Sequence, residues 1–232
     1  MSSDASTALD DDGRRVVAFV WSQRAIGERS TAETFRVVAA GLAALDAERE
    51  LVALAERAID DELRHAERCW RLACLYAERE LPAPEALALE LPAYDGASEA
   101  LRHSLHVVGQ CCLNETTASA FLERVLQQAT AQPVRETVRA LLADEVDHAR
   151  IGWAHLASPR LSAETRQAIA SWLPQLFAIN ARMWGRRPAI AITPALAAHG
   201  VPSWPTVDEV VATALDELII PGFRHVGIEV VR

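Results

Sequence analysis

Asp61-Glu62-Leu63-Arg64-His65 and Asp144-Glu145-Val146-Asp147-His148 are two copies of one pattern, D-E-x-x-H, 83 residues apart. Each lies inside a long, proline-free run of helix-forming residues. Side chains at i and i+3 on a helix share a face, so each Glu–His pair can grip one ion from the same side. Two such helices, each joined by a Glu from a further helix, are the recipe for a carboxylate-bridged two-metal site in a four-helix bundle. The reading of the chain therefore turns on whether two more glutamates stand at the right height and phase.

Working outward, Val17, Trp21, Phe35, Val38, Leu42 and Leu45 keep a helical period and predict a first helix over 14–45. Asp46 fits an N-cap for a second helix over 47–80, with Glu48 and Glu50 in an acidic first turn. Pro82 and Pro84 end it, and a proline-containing crossover, 81–96, is long enough to reach the other end of a bundle. A third helix is expected over 98–128, and Pro133 opens a fourth over 133–157. Short, long, short connections match the ferritin-like topology with a single crossover. A fifth helix is expected over 162–184, then an irregular proline-rich stretch over 186–205. Thr206 with Glu209 forms a capping box for a sixth helix to Leu218, and Pro221-Gly222 kinks or restarts the chain after it. The expected class is all-α: a disordered polar tail over 1–13, a four-helix bundle over 14–157, and additional C-terminal helices over 158–232 packed on it.

The bulk composition narrows the function classes. The chain has 232 residues, half of them apolar, enough for a substantial core. Its formal net charge is −9 without a basic block, which argues against a nucleic-acid partner. No uninterrupted apolar run of about 18 residues is present, so no membrane span is expected. The polar, acidic start lacks the apolar segment of a signal peptide. Cys69, Cys74, Cys111 and Cys112 lack C-x-x-C spacing and read as reduced, mostly buried thiols of a cytoplasmic protein.

Height selects the missing ligands. Around a first turn at Asp46, Glu62 lies 16 residues after and Glu28 18 before, a height mismatch of only ~3 Å. Glu33 lies 13 before, a mismatch of ~4.5 Å, so height leaves both in play. Phase favours Glu28, which falls on the stripe of Val17, Trp21, Phe35 and Leu42; Glu33 stands about 140° around the helix and is the alternative. Around a second turn at Ala131, Glu115 and Glu145 lie 16 before and 14 after, again within ~3 Å. Glu115 sits in the stripe of Leu105, Val108, Cys112, Leu122 and Leu126, where a carboxylate is costly unless paired or metal-bound. The candidate ligands are thus Glu28, Glu62, His65, Glu115, Glu145 and His148. Four carboxylates balance two divalent ions, and hard oxygens with one imidazole per ion suit iron or manganese better than structural zinc. Metal-bound histidines usually donate their other N–H to a carboxylate, so Asp61 is expected on His148 and Asp144 on His65.

The segments Glu28-Arg-Ser-Thr-Ala-Glu-Thr-Phe35, Asp61-Glu-Leu-Arg-His65, Asn114-Glu-Thr-Thr-Ala118 and Asp144-Glu-Val-Asp-His148 resemble the ferritin-like di-iron carboxylate superfamily. More narrowly, they resemble bacterial ferritin-like domain proteins of unassigned activity. Ala197-Ala-His-Gly-Val201 and Ile220-Pro221 extend the resemblance to nearly the whole chain from Arg14 on. The Glu28-to-Phe35 segment resembles the opening of that group's first ligand helix, which adds weight to Glu28. The resemblance implies a pair of metal ions, Fe/Fe or Mn/Fe, that reacts with O2. It does not choose the reaction, because many activities share the scaffold.

The expected function is an O2-dependent oxidase or oxygenase acting on a small organic substrate, with a non-catalytic or ferroxidase-type iron-binding role as the alternative and a metal-free interaction module as a third reading. Arg24, Cys111, Cys112 and Ser119, each about one turn from a ligand, are candidate pocket-lining residues. Tyr76 and Tyr94 lie more than a turn from any ligand, which disfavours a stored tyrosyl radical. The other histidines (His103, His106, His155, His199, His225) have no ligand spacing. Six tryptophans offer enough apolar area for a homodimer surface.

Overall fold

Asp10 opens the first helix: its carboxylate accepts the amide of Gly13 at 2.7 Å, and Asp11 and Asp12 fill the acidic first turn. Helix α1 (Asp11–Ala44) therefore begins inside the stretch expected to be tail. The computed structural model describes residues 9–230, and the rest of that tail lies outside them. Every regular element among the described residues is helical.

The turn at 45–48 departs from expectation. Asp46 does not cap the next helix but takes a left-handed conformation, φ 50°, which Asp tolerates better than most residues. The end of α1 requires this: the Asp46 amide donates to the Ala43 carbonyl at 3.1 Å and the Ala47 amide to the Leu42 carbonyl at 3.0 Å, closing the helix around a left-handed residue. Arg160 adds bonds to the Asp46 carbonyl at 2.6 Å and carboxylate at 3.0 Å. Helix α2 (Arg49–Ala77) then packs back along α1 and ends at Glu78, also left-handed, ahead of the prolines. The crossover follows without helix, tied to α1 where the Leu87 amide donates to Ser30 Oγ at 3.0 Å.

The expected uniform third helix is three segments in one rod. Helix α3 (Glu99–Val107) passes into a π-helical stretch (Val108–Glu115) and on into α4 (Thr116–Gln128). Helix α5 (Gln132–Ala157) packs against that stretch, and Gly152 is why it can come so close. A Cβ there would stand 2.6 Å from Cys112 Sγ and 2.8 Å from the Cys112 backbone nitrogen.

The rods close a ring in which α1 meets α2, α2 meets α5, α5 meets α4 and the π stretch, and α1 meets α3. Two apolar layers fill the ring. One holds Trp21, Ala25, Leu72, Leu122, Val138 and Leu141; the other holds Phe35, Val38, Ala58, Val107, Cys111 and Ile151. Glu28, Glu62, Glu115 and Glu145 fall between those layers along all four rods.

Helix α6 (Ala163–Trp184), capped by Ser162, packs on α3 and the π stretch. A 3-10 turn (Pro194–His199) lies against α1 and α4, and α7 (Trp204–Thr213) lies on α4. Ser203, not Thr206, is the N-cap of α7; its hydroxyl accepts the Thr206 amide at 3.4 Å. Glu209 reaches away to Arg124 at 3.0 Å, so the expected capping box does not form. Pro221-Gly222 stands at a restart, as expected, though without a gap in the helical run. A second π stretch (Ala214–Ile219) runs directly into α8 (Ile220–His225), where Pro221 occupies the first turn and needs no intrahelical acceptor. Among the described residues no helix is long and apolar enough to cross a membrane.

Candidate metal centre

Glu62 and His65 are buried on α2, and Glu145 and His148 are buried on α5, at the faces where the two helices meet. The central geometry is symmetric. Glu62 points Oε2 at His65 Nδ1, 3.7 Å away, and Oε1 at His148 Nδ1, 3.1 Å away. Glu145 divides itself in the same way, with Oε1 3.4 Å from His65 Nδ1 and Oε2 3.5 Å from His148 Nδ1. The imidazole centroids stand 5.8 Å apart.

Glu28 from α1 joins one side and Glu115 from the end of the π stretch joins the other. Glu28, Glu62, His65 and Glu145 bring one donor atom each within 4.8 Å of one another; so do Glu62, Glu115, Glu145 and His148. The six residues expected as ligands thus form two overlapping groups that share Glu62 and Glu145. Glu33 does not take part; it pairs with Arg36 at 3.2 Å on the outer side of α1.

The outward nitrogens are held as expected. Asp144 Oδ2 lies 3.1 Å from His65 Nε2, and Asp61 Oδ2 lies 3.3 Å from His148 Nε2. Each aspartate thus reaches the histidine of the opposite helix. With Nε2–H donating outward, Nδ1 is the nitrogen that faces the centre. Phe35 packs on His148, with ring centroids 5.0 Å apart.

Electrostatics make this cluster expensive without a cation. Burial, together with the Glu62 and Glu145 carboxylates, pushes Glu28 well above the usual carboxylate range. Burial and the same two neighbours do so for Glu115. Burial opposes charge on His65, yet the Glu145 and Glu62 carboxylates outweigh it and raise its pKa to about 11. The same balance raises His148 to about 12. Glu145 is held low, because contact with His148, His65 and Glu115 overcomes its burial.

The donor atoms fit a metal pair. Both oxygens of Glu62, Oε2 of Glu145 and the Nδ1 atoms of His65 and His148 are buried without a hydrogen-bond partner among the described residues. Buried polar atoms are normally satisfied, and these five all face the shared centre. Thiolate ligation finds no support here. Burial pushes Cys69, Cys111 and Cys112 well above the usual thiol range, and all four cysteines are unpaired.

The candidate pocket residues fare differently. Arg24 is tied to the chain itself: it donates to the Gly200 carbonyl at 2.8 Å and stacks over Trp21 and Phe121. Burial lowers its pKa to about 10. Cys111 and Cys112 are packing groups with no exposed surface, and Ser119 Oγ is buried without a partner. Tyr76 donates to or accepts from His199 Nδ1 at 2.7 Å, and Tyr94 packs on His106 and Trp172.

Two contacts to Glu115 escaped the sequence reading. Gln110 and Asn114 both donate side-chain amides to Glu115 Oε1, Asn114 at 3.4 Å. Gln110 stands five residues before Glu115, a spacing that faces it only in a π-helix. The signal available was the polar Gln-x-x-x-Asn-Glu spacing in an otherwise apolar run, which an α-helical wheel spreads apart. No protein-family model matches the chain, and no curated protein matches it in sequence.

Proposed function

We propose that this chain is a ferritin-like four-helix-bundle protein, with one long crossover and additional C-terminal helices, that holds two iron ions at Glu28, Glu62, His65, Glu115, Glu145 and His148. We propose further that it is an O2-dependent oxidoreductase acting on a small organic substrate. One observation carries the reading: Glu62 and Glu145 each turn one oxygen toward each histidine, with five of the six facing atoms left unpartnered among the described residues. Glu62 and Glu145, with Glu28 and His65 on one side and Glu115 and His148 on the other, would hold the ions.

A bound iron pair would supply the redox chemistry with O2. The remaining work belongs to the residues. Asp61 and Asp144 hold the imidazoles in one tautomer and rotamer. Gln110 and Asn114 fix one oxygen of Glu115, leaving the other for the centre. Trp21 and Leu122 on one side and Phe35 and Ile151 on the other exclude water above and below. The four unpaired cysteines support a reducing, cytoplasmic setting.

A second reading rests on Glu28. It is the only one of the four glutamates with partial solvent exposure, which favours ion traffic through that side and a ferroxidase-type role. Metal analysis after growth with iron tests the site itself: about two ions per chain are expected, and a value near zero defeats both readings. Exposure of the ferrous protein to O2 should then give a transient visible absorption. Acceleration of its decay by an organic compound, with a recovered oxidised product, selects the enzyme; ferric ion as the sole product selects the ferroxidase.

A further inference from the structure

The two outward aspartates end on one guanidinium. Arg64, the fourth residue of the first D-E-x-x-H copy, contacts Asp61 Oδ1 on its own helix. The same nitrogen, Nη2, lies 3.7 Å from Asp144 Oδ2 on α5. Asp61 in turn meets His148, and Asp144 meets His65. The result is a continuous bar across the α2–α5 seam: His65, Asp144, Arg64, Asp61, His148. Arg64 is about half exposed, so the bar reaches solvent at its middle. There it lines an open groove of about 870 Å³ together with Leu63, Arg68 and Glu136.

We infer that Arg64 is a positioning residue for both metal positions at once. Two carboxylates approach each other across the seam, and like charges this close repel unless a cation stands between them. Arg64 supplies that cation, and its planar fork can engage both. Each aspartate then keeps its orientation toward its histidine.

The second copy of the motif does not duplicate the device, because it has Asp147 where the first has Arg64. Asp147 pairs with Arg57 at 2.9 Å, and the ion pairs of Arg57 among the described residues go to Asp147 and, at 3.9 Å, to Asp61, not to Asp144. Arg57 is therefore a one-sided control for Arg64.

The inference rests on the two-metal reading, and the test separates the two. Cobalt(II) is titrated into wild type, Arg64→Gln and Arg57→Gln, following visible absorption and heat. Arg64→Gln should weaken both binding steps by about 10-fold, in the range that supporting partners of metal ligands show. Arg57→Gln should weaken one step only. Arg64 is a half-exposed surface side chain, so the variant should fold, and thermal melting of the metal-free protein checks this. As a second readout, the zinc(II)-loaded protein should show two hydrogen-bonded imidazole N–H proton resonances, both displaced in Arg64→Gln. Wild-type affinity at both steps in Arg64→Gln, or loss at one step alone, overturns the role given to Arg64. Failure of wild type to bind cobalt(II) would instead defeat the two-metal reading.

Discussion

If two metal ions bind at these six residues as proposed, loading must drive protons out, and their number follows from the groups that the buried carboxylates keep protonated. In the metal-free protein the carboxylates of Glu145 and Glu62 raise His65 to about 11 and His148 to about 12. Both rings therefore carry a proton at Nδ1 at neutral pH, on the nitrogen that faces the centre. A metal ligand must be deprotonated, so two ions release at least two protons at pH 7. Any proton held by Glu28 and Glu115, whose pKa values are also raised, adds up to two more. Metal affinity should then rise about 10-fold per pH unit per ion between pH 6 and 8, and up to about 100-fold where two protons leave with each ion. Calorimetric titration in buffers of different ionisation enthalpy counts the protons. Release of fewer than one proton per ion at pH 7, or affinity indifferent to pH, would refute the reasoning.

Other outcomes follow from single side chains. Glu62→Gln and Glu145→Gln should each impair both ions, whereas Glu28→Gln and Glu115→Gln should each cost mainly one, as metal content per chain will show. His155 is buried against Ser104, 3.2 Å away, and burial lowers its pKa to about 4. Because the folded state binds this proton less readily than the unfolded chain, with its ordinary pKa of about 6.5, stability is full above that value. It should fall by about 3 kcal/mol as the pH drops to 4. Urea unfolding at pH 7 and pH 4.5 should show a smaller difference for His155→Asn than for wild type; equal differences would remove His155 as the cause. Gly152→Ala drives a methyl group into Cys112 and its backbone. It should destabilise the fold by about 2–3 kcal/mol, lowering Tm by roughly 5–10 °C; an unchanged Tm would mean that α5 can stand off from the π stretch.

Much was legible in the chain because helices report themselves through periodicity. The D-E-x-x-H repeat, the prolines at 82 and 133, and the long crossover are enough to place four rods. Counting residues back from the turns brought Glu28 and Glu115 to the height of the two motifs, since rise per residue is constant within an α-helix. Even the exchange of Asp61 and Asp144 between helices could be anticipated, because a histidine facing inward leaves its far nitrogen pointing at the neighbouring rod.

What periodicity cannot carry is any local departure from it. The π stretch over Val108–Glu115 brings Gln110 onto Glu115, and α5 closes on it where Gly152 leaves room for Cys111 and Cys112. Asp46 became a left-handed turn residue rather than a cap because α1 runs on to Ala44 and closes with the Asp46 and Ala47 amides on the Ala43 and Leu42 carbonyls. Likewise, only the approach of α2 to α5 sets one guanidinium between Asp61 and Asp144. Residue type and spacing thus determined the rods and the chemistry they present. The folded packing decided which oxygen meets which nitrogen, because those contacts join residues that no single helix brings together.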